Sequence, residues 1–482
     1  MIFELEIELV LKKLVLILNA LILLGLFWPA PVMAQQQGEL DKPVYIVQDG
    51  DSLWDIAQRF RLSMDDLSEA NGITDPNQIS VGAQLVIPGL DGVRGVLVTQ
   101  RVPYGENLRS LSRRTQTPQQ ALVKLNHLTS PAELYAGYSL VLPQQDEVNP
   151  LGRRAMLSPG QSLLELAVSQ GTDPWKAALS NGLASPAQAL PGDTLLLPGE
   201  GGDGPGALPG EISAIEVSPS PLLQGKATVI QLATPAEMTL SGSLKDHELH
   251  FFRDGEKGYV TLQGVNALAE TGLYPLTIQG DLQDGASFTY SQMVPVFAVD
   301  YPYDTPLTVD PATVDPAVTK PEDEQWAALT APATPERLWD GVFEMPSPLP
   351  VDYCLETGEC WSSRFGNRRS YNGSPYNRFH TGLDVVGGVG TEIYAPAAGE
   401  VVFAGPLTVR GNATVIDHGW GVYTAYMHQS EILVEVGDKV KTGQLIGRVG
   451  GTGRVQGPHL HWEVWAGGVQ VDPLDWLGRA YP

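Results

Sequence analysis

The sequence predicts a multidomain chain in which tandem small α+β repeats precede an all-β spacer and a β-rich carboxy-terminal domain. Three observations support this organisation. A residue pattern recurs three times near the amino terminus, apolar residues then alternate with a period of two, and the last third is rich in glycine and histidine. The length of 482 residues also exceeds what a single hydrophobic core usually organises.

The composition is that of an acidic globular protein. Hydrophobic residues make up 43% of the chain, and 55 acidic against 30 basic residues give a formal net charge of −25. A charge of this sign argues against a nucleic-acid partner, which needs a basic surface. The two cysteines are too few for a disulfide framework or for a cysteine-ligated zinc finger.

The amino-terminal segment has the pattern of a signal peptide, predicted as residues 1–34. Two lysines precede an apolar run over residues 14–28, and Val32 and Ala34 occupy the small-residue positions that a signal peptidase reads. An uncleaved membrane anchor is the alternative, because the acidic residues ahead of the lysines are unusual in a signal peptide. The run is short for a membrane span, so we expect cleavage and a secreted or cell-envelope protein, with membrane contact only if the segment stays uncleaved.

Three segments between the signal peptide and residue 200 align with a constant offset of 55 positions, as between Gly50 and Gly105. A register kept over five classes of position indicates a tandem array of one small structural unit. The matched positions are Gly50, Gly105 and Gly160; Leu53, Leu108 and Leu163; Asn71, Asn126 and Asn181; Gly82, Gly137 and Gly192; and Pro88, Pro143 and Pro198.

Each repeat predicts a strand, two helices and a closing strand. In the first copy we expect strands at 44–47 and 84–87 and helices at 53–60 and 64–70. A serine ahead of the first helix can cap its free N–H groups, and Asn71-Gly72 is typical of a helix end. The unit is therefore a two-stranded sheet with two helices.

The first copy, YIVQDGDSLWDIAQRFRLSMDDLSEANGITDPNQISVGAQLVIPG, resembles a LysM domain. The resemblance covers residues 43–89 closely, and the divergent copies at 98–144 and 153–199 more loosely. LysM domains bind polymers that contain N-acetylglucosamine, chiefly peptidoglycan and chitin, in a shallow groove beside the helix starts. The resemblance therefore implies binding to the glycan strands of peptidoglycan, with a spacer or a protein-contact module as the alternative.

The helix start differs among the three copies. Asp51-Ser52-Leu53-Trp54 of the first is replaced by Glu106-Asn107-Leu108-Arg109 in the second and by Gln161-Ser162-Leu163-Leu164 in the third. The apolar positions are kept, so we expect the same fold in all three. Glycan binding by the second and third copies stays open.

A spacer and a linker are predicted between the repeats and the carboxy-terminal domain. Apolar residues alternate over 209–299 with Gly, Pro and Asp turns between the runs, which favours a small immunoglobulin-like β-sandwich. Residues 300–340 contain nine acidic residues, two basic residues and seven prolines. We expect a linker at 300–345 that stays extended, because such a composition buries little apolar surface.

Five of the eight histidines follow residue 379, in a segment close to electrical neutrality. His380 and Asp384 flank Thr381-Gly382-Leu383, where a turn or a bent strand can bring them together. His459-Leu460-His461 alternates as a strand does, so both imidazoles are expected on one face about 6–7 Å apart. A lone histidine is more often structural, but two imidazoles and a carboxylate leave a tetrahedral zinc ion with one open position, as in catalytic sites.

The segments SSRFGNRR, FHTGLDVVGGVGTEIYAPAAGEVVFAG and GPHLHWEVWAGGVQVDPLDWL resemble the M23 peptidases, the lysostaphin-type zinc endopeptidases that cut peptidoglycan peptides. The resemblance runs from about Trp361 to Leu477 and implies a peptidase domain over residues 346–482. The residues that it implies as Zn2+ ligands are His380, Asp384 and His461, and those that it implies as catalytic are His428 and His459.

The resemblance implies an exported zinc metalloendopeptidase, a peptidoglycan hydrolase that cuts stem or cross-link peptides in wall remodelling. Some members of the family have lost these residues and only regulate other hydrolases. A non-catalytic, wall-binding regulator is therefore the alternative, although this sequence keeps all five residues. His418 also matches the family pattern, and we expect it in a hairpin turn rather than at the metal.

The two cysteines, Cys354 and Cys360, flank a five-residue segment just ahead of the M23-like region. In an exported protein we expect them to form a local disulfide bond, with a free thiol pair as the alternative.

Overall fold

The computed structural model describes residues 42–77, 79–90, 93–144, 153–199, 204–283 and 285–482. The chain divides into two compact units, one that ends at Leu97 and one that begins at Val98. The predicted signal peptide, residues 1–34, lies outside the described residues. Within the described ranges, no helix is both long enough and apolar enough to cross a membrane.

The first unit contains the first repeat, whose elements lie within one or two residues of their predicted bounds. The Ser52 hydroxyl accepts a hydrogen bond from the Asp55 N–H at 3.1 Å and caps the first helix, and Gly72, at a φ of +64°, ends the second. A further strand begins here, and its residues 95–97 pair in parallel with the first strand. The elements are β1 (Pro43–Ile46), α1 (Leu53–Arg59), α2 (Met64–Asn71), β2 (Gln84–Val86) and β3 (Gly95–Arg101).

The second unit begins with the second and third repeats, which have the same order of strands and helices. The repeated asparagine has a structural cause, because its amide nitrogen donates to a carbonyl of the closing strand. Asn126 donates to the Val141 carbonyl at 2.8 Å, and Asn181 donates to the Leu196 carbonyl at 2.7 Å. The elements after β3 are α3 (Leu108–Arg114), α4 (Gln119–Leu125), β4 (Ser139–Gln144), β5 (Arg153–Met156), α5 (Leu163–Ser169), α6 (Pro174–Ser180) and β6 (Thr194–Leu197).

Two sheets packed face to face follow the repeats, and they are antiparallel except for one short parallel pair, residues 222–223 with 296–297. One has the strand order β12-β13-β9-β7 and the other β11-β10-β14-β15-β8, the two-sheet arrangement of an immunoglobulin-like sandwich. Ile230, Ile278 and Tyr290 belong to the core between them. The strands are β7 (Ala214–Ser218), β8 (Leu222–Leu223), β9 (Ala227–Ala233), β10 (Met238–Leu244), β11 (His247–Leu249), β12 (Phe252–Asp254), β13 (Gly258–Gly264), β14 (Gly272–Leu282) and β15 (Ser287–Phe297).

The sandwich is docked on the carboxy-terminal domain. The Phe252 ring stacks on Trp420 with 5.4 Å between the ring centroids. The Lys226 ammonium lies 3.0 Å from Asp472 and 2.9 Å from Asp475, in a half-buried ion-pair cluster. These contacts fix the orientation of the sandwich relative to the domain that follows it.

The expectation of an extended tether at 300–345 is wrong. The segment contains a short 3-10 helix (Pro311–Val314) and a 15-residue helix, α7 (Pro316–Thr330). Average composition misled the prediction, because a few aromatic residues provide the packing: Trp326, Trp339 and Phe343 are all buried against the carboxy-terminal domain. Three of the nine acidic residues, Asp304, Glu322 and Asp323, are also paired with arginines of that domain, which reduces the repulsion along the segment.

One highly curved antiparallel sheet forms the carboxy-terminal domain, and its longest path has the order β16-β19-β26-β23-β22-β21-β24. Cys354 and Cys360 form a disulfide bond ahead of it, which confirms the predicted pairing. The elements are α8 (Val351–Thr357), β16 (Trp361–Ser363), β17 (Arg368–Arg369), β18 (Arg378–Phe379), β19 (Leu383–Val386), β20 (Glu392–Tyr394), β21 (Gly399–Leu407), β22 (Gly411–Asp417), β23 (Val422–Ile432), β24 (Lys439–Val440), β25 (Leu445–Val449), β26 (His459–Ala466), β27 (Val469–Val471) and α9 (Pro473–Gly478).

Candidate metal and catalytic site

The antiparallel pairing of β19 with β26 brings the two predicted motifs together. Asp384 lies opposite His461, and His459 lies opposite Val386. His380 is placed just ahead of β19, and its Nε2 is 2.9 Å from Asp384 Oδ1 and 3.0 Å from His461 Nδ1. The Asp384 Oδ1 to His461 Nδ1 distance is 2.8 Å. Each of the three buried side chains therefore offers one potential metal-ligand atom, and these three atoms lie within 4.8 Å of one another. Such a group could hold a metal ion.

The other ring nitrogen of His380 and of His461 makes a hydrogen bond to a group outside this centre. His380 Nδ1 donates to the Arg364 carbonyl at 2.8 Å, and His461 Nε2 donates to Glu463 Oε1 at 3.2 Å. Each ring carries one proton when it is neutral, and these bonds place it on the outer nitrogen. With both rings neutral, two nitrogen lone pairs and a carboxylate oxygen would face one another, so the group needs a cation: either a metal ion or a proton on His461. The donor set therefore fits a zinc ion, with outer bonds that orient the ligands.

Glu463 is a site residue that the sequence reasoning missed. Its carboxylate is fully buried and accepts from Thr381 Oγ1 at 2.6 Å, Trp465 Nε1 at 2.9 Å and Trp326 Nε1 at 3.3 Å, besides His461. Although burial opposes ionisation, the bond and charge of His461 lower the pKa of Glu463 to about 2. The carboxylate is therefore charged when it orients His461.

Asp384 is held in place from its outer side. Arg369 lies 3.4 Å from Asp384 Oδ2, and its Nε lies 3.0 Å from Asp304. Burial by itself would raise the pKa of Asp384, but the neighbouring His380 keeps this pKa well below its usual value. Arg369 and Asp304 were not predicted, and Asp304 comes from the segment that was expected to be a tether.

The protonation of the two candidate ligand imidazoles differs before any cation binds. Burial lowers the pKa of His380. For His461, burial is outweighed by the hydrogen bonds to Asp384 and Glu463, which raise its pKa to about 9. An incoming cation would therefore displace a proton from His461.

His428 reaches the site through an irregularity of β23. Tyr426 pairs with Thr414 and Gln429 with Asn412, so two residues of β23 face one residue of β22 in a β-bulge. His428 lies in this bulge at a φ of +63°, a conformation that costs free energy for any residue with a side chain. The bulge turns the imidazole towards the metal group, where its ring centroid is 6.0 Å from that of His461.

His428 and His459 face each other beside the ligand group, with 5.1 Å between ring centroids. Both donate from Nδ1 to a backbone carbonyl, His428 to Thr452 at 2.8 Å and His459 to Gly457 at 2.9 Å. The Nε2 of His428 is therefore left for a substrate or a water molecule, whereas that of His459 lies 3.4 Å from Asp384 Oδ1. Burial, and then the charge of His461 and His459, lower the pKa of His428 to about 3, so this imidazole is neutral at pH 7.

A groove with a volume of about 940 Å3 opens over the site and is lined by His380, His428, His459 and His461. His418 lies outside it, as expected. It is fully buried, its Nδ1 donates to the Ala398 carbonyl at 2.8 Å, and its Nε2 is 2.7 Å from Thr424 Oγ1. The structure thus places all five predicted site residues around one groove and leaves His418 in the core.

The helix starts of the repeats form a second candidate surface, and it differs between the copies. In the first repeat Trp54 is 56% exposed, and no atom lies within 4 Å of a Cβ built on Gly50. In the second repeat a Cβ on Gly105 would lie 2.0 Å from Pro205 Cβ, and the Gly105 N–H donates to Tyr290 of the sandwich at 2.8 Å.

The rest of the second helix start is also occupied. Glu106 is 2% exposed and accepts from the Gly206 N–H at 3.1 Å, and Arg109 and Arg113 pair with Asp193 of the third repeat. In the third repeat the start is open, with Leu164 exposed. In the second repeat the helix start is therefore buried against neighbouring parts of the chain. In the first repeat the same surface is accessible.

Comparison with known proteins identifies both regions. Residues 378–473 match the model of peptidase family M23, and residues 45–88 and 101–143 match the LysM domain model. The chain contains an M23 peptidase domain. It also contains two LysM domains, and the matched residues do not include the third predicted repeat at 153–199, whose assignment stays a prediction.

Among the matched relatives, peptidoglycan DD-endopeptidases ShyC and ShyA of Vibrio cholerae are 41% identical over 112 residues and 42% identical over 113 residues. Each match covers 23% of this chain and 26% of the relative. Murein hydrolase activator EnvC of Escherichia coli is 38% identical over 98 residues, 20% of this chain and 23% of EnvC. The chain thus spans about a quarter of the length of these relatives, within the M23 domain.

Proposed function

We propose that the protein is an exported, zinc-dependent endopeptidase that binds peptidoglycan and hydrolyses its stem or cross-link peptides in wall remodelling. The observation that carries the proposal is the buried group of His380, Asp384 and His461, in which both imidazoles are hydrogen-bonded outward through one nitrogen and direct the other towards Asp384. The names of the Vibrio relatives, which describe peptidoglycan DD-endopeptidases, support the choice of substrate.

The chemistry divides between the metal group and the two remaining histidines. A zinc ion held by the three ligands would act as a Lewis acid that polarises a carbonyl group and lowers the pKa of water. His428, neutral at pH 7 and with a free Nε2, is suited to accept a proton as a general base. The Nε2 of His459 faces the same groove, 3.4 Å from Asp384 Oδ1, and when the ring carries a proton on both nitrogens it can donate to an oxygen on which negative charge develops.

A non-catalytic regulator is the second candidate, because a murein hydrolase activator is also among the matched relatives. Similarity alone therefore does not separate the two functions. The complete site favours the enzyme, since a regulator has no use for a strained His428 or for buried outer bonds that orient metal ligands.

Glycan binding is assigned to the first repeat. Its helix start, with Trp54 at the surface, is accessible, and an exposed indole offers an apolar face and a hydrogen-bond donor to a sugar ring. The second repeat is assigned a structural role, because Gly105, Glu106 and Arg109 contact the sandwich region and the third repeat. The peptide part of peptidoglycan is assigned to the groove of the M23 domain.

The test combines metal analysis with hydrolysis. Purified full-length protein should contain one zinc ion per chain and should reduce the turbidity of a peptidoglycan suspension. Removal of the metal by a chelator should abolish this activity, and added Zn2+ should restore it, because the ligands remain in place. Undiminished hydrolysis after complete zinc removal would refute the zinc-dependent mechanism. Full zinc occupancy without hydrolysis of any peptidoglycan would favour the regulator.

A further inference from the structure

The groove over the metal group is lined by four arginines and four carboxylates. Charged side chains in such a groove are normally paired, because an unpaired charge that is partly buried loses hydration without compensation. The arginines are Arg369, Arg378, Arg410 and Arg454, and the carboxylates are those of Asp304, Asp323, Asp384 and Glu463.

All four carboxylates have partners. Those of Asp384 and Glu463 belong to the metal group and its outer bonds. Asp304 is 3.0 Å from Arg369 and accepts from Asn367 at 2.8 Å, and Asp323 is 2.8 Å from Arg410. Two of the four arginines, Arg369 and Arg410, are neutralised by these contacts.

Arg378 and Arg454 are different, and of the two only Arg454 is partly buried, since Arg378 is exposed. Among the described residues, neither has a carboxylate within 4.0 Å. Both guanidinium groups lie against the Tyr371 ring, with their Cζ atoms 6.0 Å and 4.4 Å from its centroid. Arg454 also donates to the Thr313 carbonyl at 3.0 Å. Two positive charges are thus held beside one aromatic ring without an anion of the chain between them.

Their position connects them with the site of chemistry. Arg378 precedes His380 by two residues, which is about 7 Å along an extended chain. Arg454 follows Thr452 by two residues, and the Thr452 carbonyl accepts the hydrogen bond that orients His428. A group bound by these arginines would therefore lie in the groove that also contains the metal group.

We propose that Arg378 and Arg454 form an anion subsite that binds a carboxylate of the peptide substrate next to the bond that is cut. Guanidinium groups form paired, charge-assisted hydrogen bonds with carboxylates, and a substrate carboxylate would relieve the repulsion between the two arginines. The subsite rests on the proposed function for the nature of its ligand. It would make the enzyme selective for cross-linked peptides that carry a free carboxylate, either on a side chain or at a carboxy terminus.

The experiment measures binding of three synthetic cross-linked stem peptides to full-length protein by titration calorimetry. The first peptide has all carboxylates free, the second has all of them amidated, and the third is amidated only at the carboxy terminus. The titrations use the zinc-loaded His428→Ala protein, which retains the three metal ligands and should not consume the peptide. Arg378→Gln and Arg454→Gln are added to this background, with exposed Lys441→Gln as the charge-matched control.

The subsite predicts that the free peptide binds tenfold to a hundredfold more tightly than the fully amidated one, as expected for charge-assisted hydrogen bonds. Arg378→Gln should remove most of this preference, and Lys441→Gln should keep it. The third peptide shows which carboxylate is bound. Equal affinity for the first two peptides, or a preference that survives both arginine substitutions, would overturn the subsite. A preference for the free peptide without hydrolysis by the unsubstituted enzyme would instead refute the proposed peptidase function and retain the subsite.

Discussion

His459 and His461 lie two residues apart on β26, yet their ring nitrogens have different partners. His461 contacts Asp384 through Nδ1 and Glu463 through Nε2, as a ligand with an outer acceptor does. His459 donates from Nδ1 to the Gly457 carbonyl, and its Nε2 is 3.4 Å from Asp384 Oδ1. The strand places both imidazoles on one face, and the difference in partners supports our proposal that His461 binds the metal and His459 contacts the substrate.

This assignment predicts different outcomes for two alanine substitutions. His461→Ala should lower both bound zinc and hydrolysis, because it removes a ligand. His459→Ala should keep nearly one zinc ion per chain but lose about 10²–10⁴-fold in rate, the usual contribution of a group that moves a proton or stabilises an oxyanion. Elemental analysis and peptidoglycan turbidity measure the two quantities, with exposed His247→Ala as the control. Zinc lost from His459→Ala and retained in His461→Ala would reverse the assignment.

His380, Asp384, His459 and His461 were predictable because they lie in short, local patterns, whereas His428 was implied only by the resemblance to M23 peptidases. His459-Leu460-His461 shows the alternation of a strand, and Glu463, two residues further along the same face, could have been found in the same way. Asp304 had no such signal, since its role depends on how a distant segment docks beside Arg369. The bulge at His428 was also hidden, because nothing in its sequence requires a positive φ.

Helix α7 links the sequence ahead of the M23 match to the catalytic chemistry. Trp326 is 1% exposed, packs edge-on against Phe403 and donates from its indole nitrogen to Glu463. Glu322, from the same helix, accepts from the Val409 N–H at 2.9 Å. The helix was not predicted because its apolar face is small and the acidic residues and Pro321 favoured an irregular segment.

Trp326→Ala should therefore weaken both packing and metal binding. Loss of a buried tryptophan costs about 3–5 kcal/mol of the free energy of unfolding of the domain. Loss of a donor to Glu463 should lower zinc affinity about 10–100-fold, the range for partners that orient a ligand. Chemical unfolding and zinc titration of the full chain measure the two effects. Trp175→Ala, at an exposed tryptophan, is the matched control, and the same result for both variants would contradict the role of α7.

The repeats have one backbone pattern and two kinds of surface. The sequence predicted their order of elements because the 55-residue register preserves turns, caps and apolar positions. It left the role of the second copy open, because the burial of Glu106 depends on a segment about 100 residues further along the chain, which contains Gly206.

A pair of substitutions distinguishes the two surfaces. Trp54→Ala should reduce the affinity of the full chain for purified peptidoglycan by about tenfold, as truncation of an exposed tryptophan anchor costs more than 1 kcal/mol. Arg109→Ala should leave this affinity unchanged and loosen the contact with Asp193. Co-sedimentation with peptidoglycan measures both. Equal losses for the two variants would contradict the assignment of glycan binding to the first repeat.

On the scale of the whole molecule, the second unit is a docked assembly from the second repeat to the carboxy terminus. The sandwich contacts the M23 domain through Phe252 and Lys226, and the segment after it supplies Asp304 and Trp326 to the site. Predicted bounds of 346–482 for the peptidase domain therefore leave out residues that the site needs. The family match, at 378–473, covers the ligands and the catalytic histidines but none of these supports.

The central claim is that this chain cuts a peptide bond of peptidoglycan with the site built on His380, Asp384 and His461. The most direct measurement is mass spectrometry of muropeptides after digestion of purified peptidoglycan by the full-length protein and by its His461→Ala variant. In the wild-type digest only, cross-linked muropeptides should be cut into two products whose masses add up to that of the parent plus one water molecule. One of the products should carry a new free amino group. Unchanged muropeptides in both digests, or the same cleavage by both proteins, would contradict it.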